Sequence, residues 1–231
     1  MPENQRARIS AVAALDEPTR RRLYDHVVRQ SGPVGREEVA AALQLPRTTA
    51  AFHLDRLVQE GLLDVVHERR TGRTGPGAGR PAKLYRRSAS EVAVSLPERR
   101  YDVAGQLLAT AIEEAAQSAE PPRDILDRGA YQFGQRLAES ERSTGEAVRD
   151  AALRILETNG YEPSVERGVV TLVNCPFDAL AREHTELVCG MNLKLLGGLL
   201  DGLACTGLTA HLDPSPERCC VRLQPEPPAS A

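Results

Sequence analysis

The stretch "PRTTAAFHLDRLVQEGLLDVVHERR", residues 46–70, decides how the first half of the chain is read. Ala50, Leu54, Leu57 and Val58 recur at helical spacing, which gives one apolar face to a short helix. Gly61 stands at the position where a helix commonly ends on a left-handed residue. From Leu62 onward the pattern turns β-like. Arg47, Thr48, Thr49, Phe52, His53 and Arg56 are left as the exposed or half-exposed positions of the helix.

Two more helices are expected upstream. One starts near Asp16, a good N-cap, with Pro18 in its first turn and Leu23, Tyr24, Val27 and Val28 inward. "SGPVG" (31–35) ends it, and "REEVAAALQL" (36–45) follows with Val39 and Leu43 inward. Downstream, "TGRTGPGAGRP" (71–81) is a loop rich in Gly and Arg, and "AKLYRRS" (82–88) returns as a paired strand. Three short helices followed by a hairpin with a basic tip make a winged helix-turn-helix pattern. Such a helix enters the major groove and presents its N-terminal side chains to base edges. Thr49 can donate to a phosphate, and Arg47 can read a guanine or hold the backbone. Arg69, Arg70, Arg73 and Arg80 supply the wing, and its glycines allow close approach to DNA. Each piece has a plainer reading: the loop as a solvated connection, His53 as half-buried packing.

Charge supports the DNA reading. Residues 1–100 carry 18 Lys/Arg against 12 Asp/Glu, a net +6, while residues 101–231 carry 11 against 20, a net −9. A basic first half beside an acidic second half suits a polyanionic partner for the first alone. No apolar run is long enough for a membrane span, and "MPENQRARIS" lacks a signal-peptide core, so a cytoplasmic protein is expected. Five cysteines in a reducing compartment then suggest thiols or ligands rather than disulfides. No glycine loop leads into a helix as anion loops do, and HExxH is absent, so an enzyme is not expected.

In the second half an apolar stripe runs through Val103, Leu107, Leu108, Ala111, Ile112 and Ala115, a candidate dimer contact or else internal core. Helices are expected over 124–139 and 145–158. "GYEPSVERGVVTLVNC" (160–175) reads as two strands around a turn at Arg167-Gly168, and "LVCGMNLKLLGGLLDGL" (187–203) as an apolar helix. "TGLTAHL" (206–212) and "RCCVRL" (218–223) read as closing strands. The expected fold is α+β: residues 1–90 a winged helix-turn-helix, 91–120 a linking and dimerisation helix, 121–224 a small α+β sensor or effector domain, and 225–231 a disordered tail.

The cysteines are spaced widely. Thirteen residues separate Cys175 from Cys189, 15 separate Cys189 from Cys205, and 13 separate Cys205 from Cys219, unlike a zinc knuckle. Cys189 lies near an expected helix start, where the dipole favours thiolate. Neighbours Cys219 and Cys220 would face opposite ways on a strand, so at most one would join a shared site. Cys189, Leu193, Leu196 and Leu200 also form an apolar stripe, so on the residues alone burial is the stronger reading.

"DEPTRRRLYDHV" (16–27), "TTAAFHLDRLVQEGLL" (48–63) and "GRPAKLYRRS" (79–88) resemble the ArsR-like winged-helix regulators, over about residues 15–88. "GRPAKLY" and the later "CPF…C…C" resemble the branch that includes the SufR-type iron–sulfur regulators, which extends the resemblance to about residue 223. The resemblance implies a homodimeric transcription factor, often a repressor, that binds a double-stranded operator. It also implies an iron–sulfur cluster on Cys175, Cys189 and Cys219, with zinc as an alternative and Cys205, Cys220 or His184 as fourth ligand. The chain departs from that pattern. Its Cys175–Cys189 gap is one residue longer, and it ends "CCVR" rather than in a "C-x-x-H"-like way. A small organic effector, with structural cysteines, is the rival expectation.

Overall fold

The computed structural model describes residues 3–68, 81–141, 148–204, 207–215 and 217–226. Two compact units divide the chain, Met1–Val94 and Ser95–Ala231. Together they make a mixed α+β protein with an N-terminal helix-turn-helix, as the pattern predicts.

In the first unit the elements run α1 (Glu3–Ala14), α2 (Pro18–Val28), β1 (Val34–Gly35), α3 (Arg36–Leu43), α4 (Arg47–Gln59), β2 (Leu63–Glu68) and β3 (Ala82–Arg87). Glu17, not Asp16, caps α2: its carboxylate accepts the amides of Thr19 at 3.0 Å and Arg20 at 2.6 Å. Asp16 instead closes a turn on Ala13, with its amide 3.0 Å from that carbonyl. The turn between α3 and α4 rests on Gln44, in the left-handed region at φ 56°. There the Leu45 amide reaches back to the Ala40 carbonyl, and Pro46 begins α4. Gly61, at φ 72°, ends α4, and the Leu62 amide returns to the Leu57 carbonyl. Leu23, Val27, Val39, Ala50, Leu54, Leu57, Leu63 and Tyr85 are buried together, so the stripes predicted for the three helices meet in one core.

Two elements were not anticipated. Helix α1 buries only Ala11 and Ala14 among its described side chains, too few to make a periodic signal. Strand β1, inside the segment read as a helix terminator, pairs Val34 with Tyr85 and Gly35 with Leu84. The antiparallel sheet order is therefore β1-β3-β2, with β3 central.

The second unit comprises α5 (Tyr101–Gln117), α6 (Pro122–Glu141), α7 (Val148–Thr158), β4 (Pro163–Glu166), β5 (Val169–Leu172), α8 (Asp178–Glu183), α9 (Thr185–Leu203), β6 (Leu208–Leu212) and β7 (Val221–Pro225). The strands form an antiparallel sheet in the order β4-β5-β7-β6. The predicted turn joins β4 to β5, with Arg167 and Gly168 at φ 49° and 86°, the paired positive angles of a tight hairpin. Helix α9 is apolar around most of its circumference and buried accordingly, with Val188, Met191, Leu195, Leu196, Leu199 and Leu200 inside. It packs on α6 backbone to backbone. A Cβ on Gly134 would overlap the Leu195 carbonyl, and one on Gly198 would overlap the Tyr131 carbonyl.

Three expectations need correction. The stripe on α5 is largely internal: Val103, Ala104 and Ala111 are buried, Leu107, Leu108 and Ala115 pack against the same core, and Ile112 remains 65% exposed. Cys219 and Cys220 precede β7 instead of lying within it, so strand alternation does not govern them. The expected tail also begins too early, because Pro225 pairs with Leu208 at the end of β7 and the Glu226 amide bonds to the Gly207 carbonyl. Residues 227–231 lie outside the described residues. Among the described residues no helix is long and apolar enough to cross a membrane.

Candidate nucleic-acid interface and thiol pocket

Burial of Ala50, Leu54 and Leu57 turns the opposite side of α4 to solvent. Thr48 and Phe52 lie there one turn apart, and Phe52 is 66% exposed. Arg47 and Arg56 are exposed and tethered to carboxylates, Arg47 to Glu37 and Arg56 to Glu60, each at 2.5 Å. Arg47 and Glu37 are both exposed, a pairing worth about 0–1 kcal/mol, so a phosphate can displace that carboxylate cheaply, whereas the Glu60 side chain is only 10% exposed and its pair with Arg56 is sheltered. Thr49 is half-buried. His53 turns inward: its side chain is 14% exposed, its Nδ1 lies 3.6 Å from Glu17, and its ring meets Phe52 edge-on at 5.2 Å. Of the six positions read from sequence, it is the one directed at the unit's own packing. Arg69, Arg70, Arg73 and Arg80 lie outside the described residues.

One link on this surface was missed. Asp55 Oδ1 accepts from Lys83 Nζ at 2.5 Å and from the Tyr85 hydroxyl at 2.8 Å, joining α4 to β3. Partial burial by itself would raise the Asp55 carboxyl, but the two hydrogen bonds outweigh it and hold the group below its ordinary range. Only the long-range pairing of β3 reveals this, since 28 and 30 residues separate the partners.

In the second unit four cysteines from three segments line one cavity of about 350 Å³. Cys175 follows β5, Cys189 is on α9, and Cys219 and Cys220 lead into β7. All four are free and buried. Cys175 is hydrogen-bonded to Cys219, and Cys189 to Cys220. The structure thus brings together Cys175, Cys189 and Cys219 and, of the three candidates for a fourth position, places Cys220 with them. His184 is exposed at the α8–α9 junction and does not line the cavity, and Cys205 lies outside the described residues.

The Cys175 thiol is pushed up by its hydrogen bond to Cys219 and then by burial. For Cys219 the bond with Cys175 pulls downward, but the bond with Cys220 and burial prevail and push it up to about 12. Burial raises Cys189 as well. The expected depression at a helix start is overturned, because Cys189 lies a full turn inside α9. All three are therefore neutral thiols at pH 7. Even so, N–H groups point at the sulfurs: the Phe177 amide at Cys175, and the Val221 amide and Asn192 Nδ2 at Cys219, the last at 3.2 Å. Asn192, 1% exposed, also accepts the Tyr161 hydroxyl at 2.5 Å. Burial holds that hydroxyl well above its usual range.

At the mouth of the cavity, Arg99 donates to Asn174 Oδ1 and, at 3.1 Å, to the Cys175 carbonyl. Asn174 donates in turn to the carbonyls of Gly160 and Glu98. The Arg100 amide bonds the Pro176 carbonyl at 3.0 Å, and the Tyr101 hydroxyl accepts the Ala179 amide. The start of α5 is thereby tied to the thiol segment. Sequence reading missed Arg99, Asn174 and Asn192; an asparagine inside an otherwise apolar helix was the available signal for the last.

Four sulfur donors suit a thiophilic metal or cluster by chemistry. As placed, however, no group of three or more His, Cys, Asp or Glu side chains among the described residues is arranged to hold a metal ion.

Residues 15–66 match the family model of a helix-turn-helix domain, from the end of α1 through most of β2. This supports a winged helix-turn-helix, DNA-binding transcriptional regulator. No curated protein matches the chain, and no solved structure matches it.

Proposed function

We propose that the protein is a cytoplasmic, homodimeric winged-helix transcriptional repressor, without enzymatic activity, whose second unit reports redox or iron–sulfur status to the DNA-binding unit. The observation that carries the sensing part is the convergence of Cys175, Cys189, Cys219 and Cys220 on one cavity, with N–H donors aimed at two of the sulfurs. Such donors favour sulfur that carries negative charge, as a ligating thiolate does. An iron–sulfur cluster, or zinc in its place, would cross-link the three segments that bear the cysteines. The rest follows from the chain's own bonds. Arg99, Arg100 and Tyr101 couple the Cys175 segment to α5, so movement of that segment is passed to a helix whose remaining exposed stripe residue, Ile112, we take as the dimer contact. Dimeric readers depend on the separation of their two recognition helices, so a small shift of α5 weakens operator binding.

Anaerobic purification followed by visible absorption and analysis for iron, sulfide and zinc tests this reading. Iron with sulfide that is lost in Cys175→Ala and Cys219→Ala supports the cluster; zinc alone supports a structural site. A metal-free protein whose operator affinity ignores both substitutions refutes the sensing role. A second reading has its own support: the thiols are neutral, and no metal-holding group is preformed among the described residues. On that reading the same cavity takes a small organic effector, and the cysteines are packing.

A further inference from the structure

The exposed face of α4 carries a side chain that phosphate binding does not explain. The chain has three phenylalanines. Phe177 is buried, Phe133 packs against the second unit's core, and Phe52 alone stands open to solvent, on α4 within the matched helix-turn-helix domain. Its neighbours define the chemistry of that face. Thr48, exposed one turn earlier on the same side of the helix, adds a methyl group to that face. Asp55, three residues later, would repel DNA, but Lys83 and Tyr85 both donate to its Oδ1 and the lysine offsets its charge. Arg47, next to Thr48, and Arg56, one turn after Phe52, are both exposed and lie on either side of that pair along the helix. The middle of the face therefore offers carbon, between positions suited to phosphate. In the major groove the apolar feature of a base pair is the thymine 5-methyl group.

We propose that Phe52 is a specificity-determining residue of α4 that reads the 5-methyl group of a thymine in the major groove, with Thr48 lining the same contact. This rests on the DNA-binding reading and goes beyond it by naming the feature of the base that is recognised.

The test uses the full chain. A randomised duplex pool is enriched by binding, and the enriched duplex is then remade with deoxyuridine in place of one thymine at a time, which removes only the methyl group. At one thymine of each half-site the wild-type protein should bind about three- to tenfold more weakly, the scale expected for one buried methyl. Phe52→Ala should bind the thymine and uridine duplexes alike, and Phe52→Leu should keep part of the preference. Since the ring is exposed, both variants should unfold at the wild-type temperature. The proposal is overturned if every uridine replacement leaves wild-type affinity unchanged, or if Phe52→Ala still distinguishes the two duplexes. If no duplex is enriched and all sequences bind alike, the regulator reading itself fails and takes the methyl contact with it.

Discussion

On the outer face of α4 Arg47 meets Glu37 in water, whereas the thiol cavity is lined by four cysteines buried in the second unit. Arg47 and Glu37 form a pair that solvent screens and a competing anion can replace. Cys219 is bonded to Asn192, Cys175 and Cys220, and Asn192 in turn to Tyr161, at positions that water hardly reaches. The first surface is made to exchange partners at little cost. The second is made so that removing one partner strands another, and an unsatisfied buried polar group costs about 1–3 kcal/mol. Mutations should therefore separate the two regions by both size and kind of effect.

The largest effect should come from the close packing of α9 on α6. Gly198→Ala puts a methyl group into the Tyr131 carbonyl and forces α6 and α9 apart. A loss of about 3 kcal/mol or more is expected, at the upper end for overpacking, and denaturant unfolding of the full chain measures it. A wild-type midpoint would show that the two helices are not held at backbone contact.

Next comes the buried pair. Asn192→Leu leaves the Tyr161 hydroxyl without its acceptor and should cost about 1–3 kcal/mol. Adding Tyr161→Phe should recover part of that loss, so the double variant is less damaged than the sum of the singles. Strict additivity would mean that the two side chains do not act as a unit.

The Asp55 link sharpens the comparison from the other side. Its carboxyl is held below the ordinary value, so its contribution is present at neutral pH and disappears as pH falls through the acid range below about 4. Asp55→Asn should flatten that acid limb for the first unit and leave stability above it nearly level. An unchanged acid limb would rule the link out. The smallest effects on folding belong to Arg47→Ala, within about 0.5 kcal/mol, and then to Arg56→Ala, which takes the partner from the sheltered Glu60 carboxylate. Each should instead lower the salt dependence of DNA affinity by about one phosphate contact. A titration of binding against salt reads this directly, and an unchanged slope removes that arginine from the interface.

Legibility in the sequence followed the range of the interactions. Helices α2, α3 and α4 were readable because Leu23, Val27, Val39, Leu54 and Leu57 repeat at the helical period within a few residues. The β4–β5 turn was readable because Arg167-Gly168 is a local backbone requirement. Helix α1 was not, since its burial rests on two alanines. Strand β1 was not either, since its partner β3 lies some fifty residues away.

By itself the sequence determined the helix-turn-helix, the basic first half, the apolar α9 and the identity of the thiols. Only the tertiary structure decided that Cys220 stands with Cys175, Cys189 and Cys219 around one cavity while His184 remains outside it. It also decided that Asn192 spends its amide on a sulfur and that Asp55 is tied to the wing strand. Periodicity encodes which face of an element is apolar, but which distant segments meet across a core depends on chain closure and packing, which no local pattern records.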